Sequence, residues 1–103
     1  MIVMVNADKS ISLVQADDFK RFHCEIQIPN ATLEQAQAAL KGIAELESRE
    51  TAWTAVDALL ALKRDSTAPQ WETSVQTMIE KARPHGWVRD HPLAVKSHIV
   101  WET

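Results

Sequence analysis

Apolar and polar positions alternate most regularly from Phe22 to Pro29. Phe22, Cys24, Ile26 and Ile28 fall on one side of an extended chain. Arg21, His23, Glu25 and Gln27 fall on the other. A period of two over that length predicts a strand with one buried side. Upstream, the apolar run from Ile2 to Val5 and the segment from Ile11 to Ala16 predict two more strands. They are joined by the turn-forming stretch Asn6-Ala7-Asp8-Lys9-Ser10, and Asp17-Asp18 makes a tight link to the third. Three strands with short polar links predict an antiparallel meander. The first strand is apolar on both sides, so both its faces need cover, and a second copy of the chain is one source of it.

Beyond Pro29 the period changes. Thr32 and Gln35 stand at capping-box spacing, with Thr32 as N-cap and Gln35 reaching back to it. Leu33, Ala36, Leu40, Ile43 and Ala44 then share one helical face, whereas Trp53, Val56, Leu59 and Leu60 centre on the opposite one. The polar stretch 47–51 lies between the two sets. The spacing predicts two helices, about 32–47 and 50–64, with a bend between them. The other reading is one long helix burying opposite faces in its two halves, which would reach beyond its own domain into a dimer. Thr67-Ala68-Pro69-Gln70 repeats the start signal. Trp71, Val75, Met78, Ile79 and Ala82 form the most regular amphipathic pattern in the chain, ended by Pro84 and Gly86. Ala94 to Trp101 is rich in β-formers and predicts a last strand. The order β-β-β-α-α-α-β predicts an α+β fold, an antiparallel sheet of about four strands with helices packed on one face.

Composition narrows this picture. A chain of 103 residues predicts a single domain over 1–103, which buries roughly two-thirds of the surface its unfolded form exposes. Hydrophobic residues make up 46%, but fourteen are alanines, so the four tryptophans are expected to carry much of the packing. The single cysteine, Cys24, excludes an internal disulfide and falls on the core side of its strand, where a thiol acts as a small hydrophobe. The start lacks the pattern of a signal peptide, and no apolar run approaches the roughly 20 residues of a membrane span. The expected location is therefore cytoplasmic, with no membrane partner.

A net charge of −3 argues against nucleic acid as the main partner. The charge is uneven, however. Between Lys81 and His98 lie four basic residues and three of the four histidines against one acid, Asp90. Arg83, His85, Trp87, Arg89 and His91 crowd the loop after the last helix, with His98 further on. Arginine grips a carboxylate or phosphate in a fork and tryptophan offers a flat apolar face, so this set is the candidate site for a small anionic, aromatic ligand. A second set depends on strand pairing. With the last strand beside the third, Lys96, His98 and Glu102 would share a surface with Arg21, His23, Glu25 and Gln27. His23, His98 and Glu25 would then form an acid–base or metal-binding group. The histidine spacings match no local zinc motif, so neither a metal nor a cofactor is expected. No glycine-rich phosphate loop and no GxSxG is present, and no catalytic residue is assigned. The resulting expectation is a self-associating interaction or regulatory module, a homodimer first. The alternative is a ligand-binding protein or small enzyme built on segment 83–98.

Overall fold

Seven strands and three short helices are formed by residues 1–62 and 70–101, the part of the chain that the computed structural model describes. In chain order they are β1 (Ile2–Val5), β2 (Ile11–Val14), β3 (His23–Ile26), α1 (Leu33–Ala39), β4 (Ala44–Leu46), β5 (Thr51–Ala55), α2 (Val56–Ala61), α3 (Trp71–Ala82), β6 (Val88–Arg89) and β7 (Ala94–Trp101). The strands join in one curled, mixed sheet ordered β2-β1-β3-β7-β5-β4, with β6 also paired to β7. The start signal at 67–69 and Glu102 lie outside the described residues.

The antiparallel four-strand sheet is thus corrected. β1 and β2 do form an antiparallel hairpin, but β3 lies on the other edge of β1 and runs parallel to it, with Ile2 opposite His23. β7 runs parallel to β3, and β5 antiparallel to β7. The reason lies in residues 15–22, which form a crossover rather than a tight link. Gln15 has φ 52° and its carbonyl accepts from the Asp18 amide at 3.0 Å. The Met1 amine donates to the carbonyls of Asp18 and Arg21 at 2.9 and 2.7 Å, and the Trp71 indole donates to that of Ala16 at 2.7 Å. The irregular crossover therefore finds partners for its main chain, as a partly buried segment must.

The two helices expected over 32–47 and 50–64, and the single long helix with them, give way to a helix, a β-hairpin and a second helix. The capping box forms as expected: the Gln35 amide donates to Thr32 Oγ1 at 3.1 Å and the Thr32 amide to Gln35 Oε1 at 2.9 Å. α1 nevertheless stops at Ala39, and the chain turns through Gly42 at φ 81°. The polar stretch after Leu46 is the turn of the β4–β5 hairpin, closed by the Glu47 amide on the Thr51 carbonyl at 2.9 Å. In β5 the inward residues are the small Ala52 and Thr54, while Trp53 points outward. A period of two is present there, but the largest apolar side chain sits on its exposed phase. Gln37 of α1 guards the short edge strand β4, donating to the Ala44 carbonyl and accepting from the Leu46 amide.

The core lies on the inward side of the sheet. Cys24 and Ile26 are fully buried, Ile28 nearly so, and Phe22 packs half-buried against them, as the alternation predicts. Val3, Val5, Ala52 and Ile99 extend that surface. It is covered by Ala36 and Leu40 around α1, Val56 and Leu59 of α2, and Trp71, Val75 and Ile79 of α3. Each large side chain buried there contributes roughly 1.5–3 kcal/mol. Of the tryptophans only Trp71 is buried; Trp53 and Trp101 are half-buried and Trp87 is exposed. Their indoles settle on polar neighbours instead: Trp53 on Glu47 and Trp101 on the Arg49 carbonyl. The outward side of β1 carries Ile2 and Met4, both half-buried.

Candidate ligand-binding cleft

β7 is the longest strand, and along one edge it serves two partners in turn. β6 pairs with its start, Val88 opposite Val95 and Arg89 opposite Ala94. β3 pairs with its end, from Cys24 opposite Ile99 to Ile26 opposite Trp101. Between them the Lys96 amide donates to the Trp87 carbonyl at 2.7 Å, and the ladder on that edge is interrupted at Ser97 and His98. A cleft of about 910 Å³ lies at this interruption. Its floor is Val95 to His98. One wall is the crossover, with Phe19, Lys20, Arg21 and Phe22 leading into His23. The other is the end of α3, with Met78, Lys81 and Ala82, continued by His85 and Trp87.

Strand alternation explains how both faces of β7 reach one cleft. Val95 and Ser97 point inward and stay buried, Lys96 and His98 point outward, and all four border the cleft where the ladder is missing. Trp87 lies across from Lys96 on the outward face, one residue before the Val88–Val95 pair. Carrying the β3–β7 register back by one residue sets His23 against His98. Their rings stack there, with centroids 5.4 Å apart and planes 15° from parallel. His85 stacks on Trp87 at 4.3 Å, leaving the indole 47% exposed.

Electrostatics give the cleft one sign. Lys20, Arg21, Lys81 and Lys96 line it with His23, His85 and His98, and among the described residues no Asp or Glu does. Such a one-signed, partly apolar concavity concentrates anions. Partial burial holds the His23 pKa below its ordinary value; the Glu25 carboxylate opposes this, and His98 and the Met1 amine reinforce it. The Ser97 hydroxyl is buried beside the cleft. The residue is 7% exposed, it lines the cleft, and its Oγ has no partner among the described residues.

Of the six residues that the sequence nominated, the cleft gathers His85, Trp87 and His98. Arg83 is turned away into ion pairs with Glu80 and Asp90, each at 3.0 Å, which raise its pKa. Arg89 is drawn along the sheet to lie over the Trp53 ring at 4.7 Å, with Glu45 at 3.6 Å. His91 is exposed, with φ 62° before the cis bond to Pro92. His23 and His98 do come together, but Glu25 lies opposite Val100, and among the described residues no three His, Cys, Asp or Glu are placed to hold a metal ion. The residues that sequence reasoning left out are Lys20, Lys81 and Ser97, with Phe19, Phe22 and Met78. The basic pair Lys20-Arg21 running into His23 was the available signal.

No protein-family model, curated protein or solved structure matches the chain. Among the described residues no helix is long and apolar enough to cross a membrane.

Proposed function

We propose that the protein binds a small anionic ligand with a flat ring in the cleft beside β7. The observation that carries this reading is the lining itself: around about 910 Å³ stand four lysines and arginines, three histidines and an exposed tryptophan, with no carboxylate among the described residues. Ligand sites commonly enclose roughly 300–1,000 Å³ and combine apolar walls with a few polar groups. The cations attract the anion, and the Trp87–His85 stack offers a face for the ring. The lone, buried Cys24 thiol agrees with a reducing, cytoplasmic setting. Tryptophan fluorescence titrated with phosphates, carboxylates and aromatic acids tests the reading. Saturable quenching that is lost in Trp87→Ala and weakened in Lys96→Ala is expected. No saturable response to any of these compounds removes it.

Self-association is a second reading, favoured by one observation. Ile2 and Met4 of β1 and Val14 of β2 are apolar, half-buried and outside the core, and Val100 on the same side of the sheet is 40% exposed. A homodimer covering that surface is expected to sediment at twice the chain mass at micromolar concentration and to dissociate in Met4→Lys. A strict monomer removes this second reading and leaves the first untouched.

A further inference from the structure

Resting on the binding reading above, we infer that the ligand class is a nucleoside monophosphate, its base on Trp87 and its phosphate at the His23–His98 pair. The geometry separates the two subsites. Trp87 lies across β7 from Lys96, and His98 is two residues further along the same outward face. At about 3.3 Å per residue that offset is roughly 7 Å, the span of a sugar between a base and its phosphate. A ring bearing its anion directly, such as an aromatic carboxylate, reaches one subsite only. Inorganic phosphate leaves the indole and most of the volume unused.

The charge set favours a dianion. His23 and His98 stack at 5.4 Å, so two imidazolium charges there repel each other. A phosphate monoester carries close to two negative charges at neutral pH, and it stabilises the protonated pair where a single carboxylate does so less. Lys20 and Arg21 from the crossover and Lys96 from the floor add fixed positive charge to the cleft lining. Glu25 and the Met1 amine also bear on His23, and Lys81 and His85 line the same cleft. Glu25 alone among these is acidic, and it does not line the cleft.

Isothermal titration of the full chain at neutral pH and low ionic strength decides the matter. The probes are adenosine monophosphate, adenosine, inorganic phosphate, benzoate and a short oligonucleotide without a terminal phosphate. The monophosphate is expected to bind about tenfold or more tighter than each of the others, with net proton uptake that falls in His98→Gln. Trp87→Ala is expected to weaken the monophosphate and adenosine but not phosphate; His98→Gln is expected to weaken the monophosphate and phosphate but not adenosine. Both side chains are exposed, and circular dichroism of the variants checks that they fold. On the unmodified chain, phosphorus resonance broadening of the bound monophosphate is the independent readout. Benzoate or inorganic phosphate binding as tightly as the monophosphate overturns this inference and leaves the cleft reading standing. Tighter binding of the oligonucleotide overturns it in favour of a polymer. Binding by none of the five, with no response to any other anion, removes both.

Discussion

The indole of Trp71 donates a 2.7 Å hydrogen bond to the carbonyl of Ala16, fastening α3 to the crossover that leads into β3. These are the two walls of the cleft. Trp71→Phe keeps most of the ring and deletes the donor, leaving a partly buried carbonyl unpaired. A loss of about 1–3 kcal/mol in urea denaturation is expected. Trp71→Ala removes the ring as well and is expected to cost roughly 3–5 kcal/mol. A Trp71→Phe chain as stable as the parent would show that the bond contributes nothing net.

Thr54 and Ser97 hide hydroxyls that have no partner among the described residues. Replacing Thr54 with the nearly isosteric valine removes an unsatisfied polar group, and a gain of about 1 kcal/mol is expected in the same denaturation series. Ser97→Ala is expected to leave stability equal or higher. Loss of stability in Thr54→Val is the result that contradicts this account.

His23 makes the fold sensitive to mild acid. Burial lowers its folded pKa below the ordinary value near 6.5, so between the two values the unfolded chain binds more protons than the native one. The His23 contribution is complete above about pH 6.5 and is lost as pH falls through the lowered folded pKa. Thermal melts are expected to shift downward over that window, and His23→Gln is expected to flatten the shift. Imidazole proton resonances supply the direct check: in His98→Gln the His23 titration should move upward.

Cys24 is fully buried, and desolvation, with the Glu25 carboxylate second, pushes its thiol pKa up to about 12. The folded chain is expected to resist thiol-specific reagents at pH 8 and to label at once in denaturant. Labelling at the denatured rate under native conditions would place the residue elsewhere.

Arg89 and Lys96 separate the sequence view of the site from the structural one. Arg89→Ala is expected to change ligand affinity less than about twofold, because Arg89 lies outside the cleft and faces Glu45, whereas Lys96 lines the cleft although its ammonium also lies 5.9 Å from the Trp53 ring centroid. Lys96→Ala is expected to lower affinity about tenfold, in keeping with a charge-assisted contact. Equal losses in the two variants would move the site toward Trp53.

Elements whose burial pattern is carried by large side chains were readable. Cys24, Ile26 and Ile28 announced β3; Trp71, Val75 and Ile79 announced α3; Thr32 and Gln35 announced the start of α1. β5 was not, because its inward phase is Ala52 and Thr54 while Trp53 is outward, so that counting large apolar residues finds a helical period instead. Parallel pairing was equally out of reach. Nothing local distinguishes a crossover at residues 15–22 from a hairpin link, since the tie from Trp71 to Ala16 comes from 55 residues away. The cleft followed the same rule. His85 and Trp87 share a loop and were found together. His98 was nominated, but its partnership with His23 exists only through the β3–β7 ladder, and Lys20 and Lys81 read as ordinary solvated charges until that ladder brought them to one place.

β7 is flanked by β3 on one side and β5 on the other, so it alone joins the three-stranded unit made first to the β4–β5 hairpin made later. Of the described strands it is also the last to leave the ribosome. During synthesis the two partial sheets therefore wait with open edges and an unsealed interior until residues 94–101 emerge, and chaperone demand should peak just before that point.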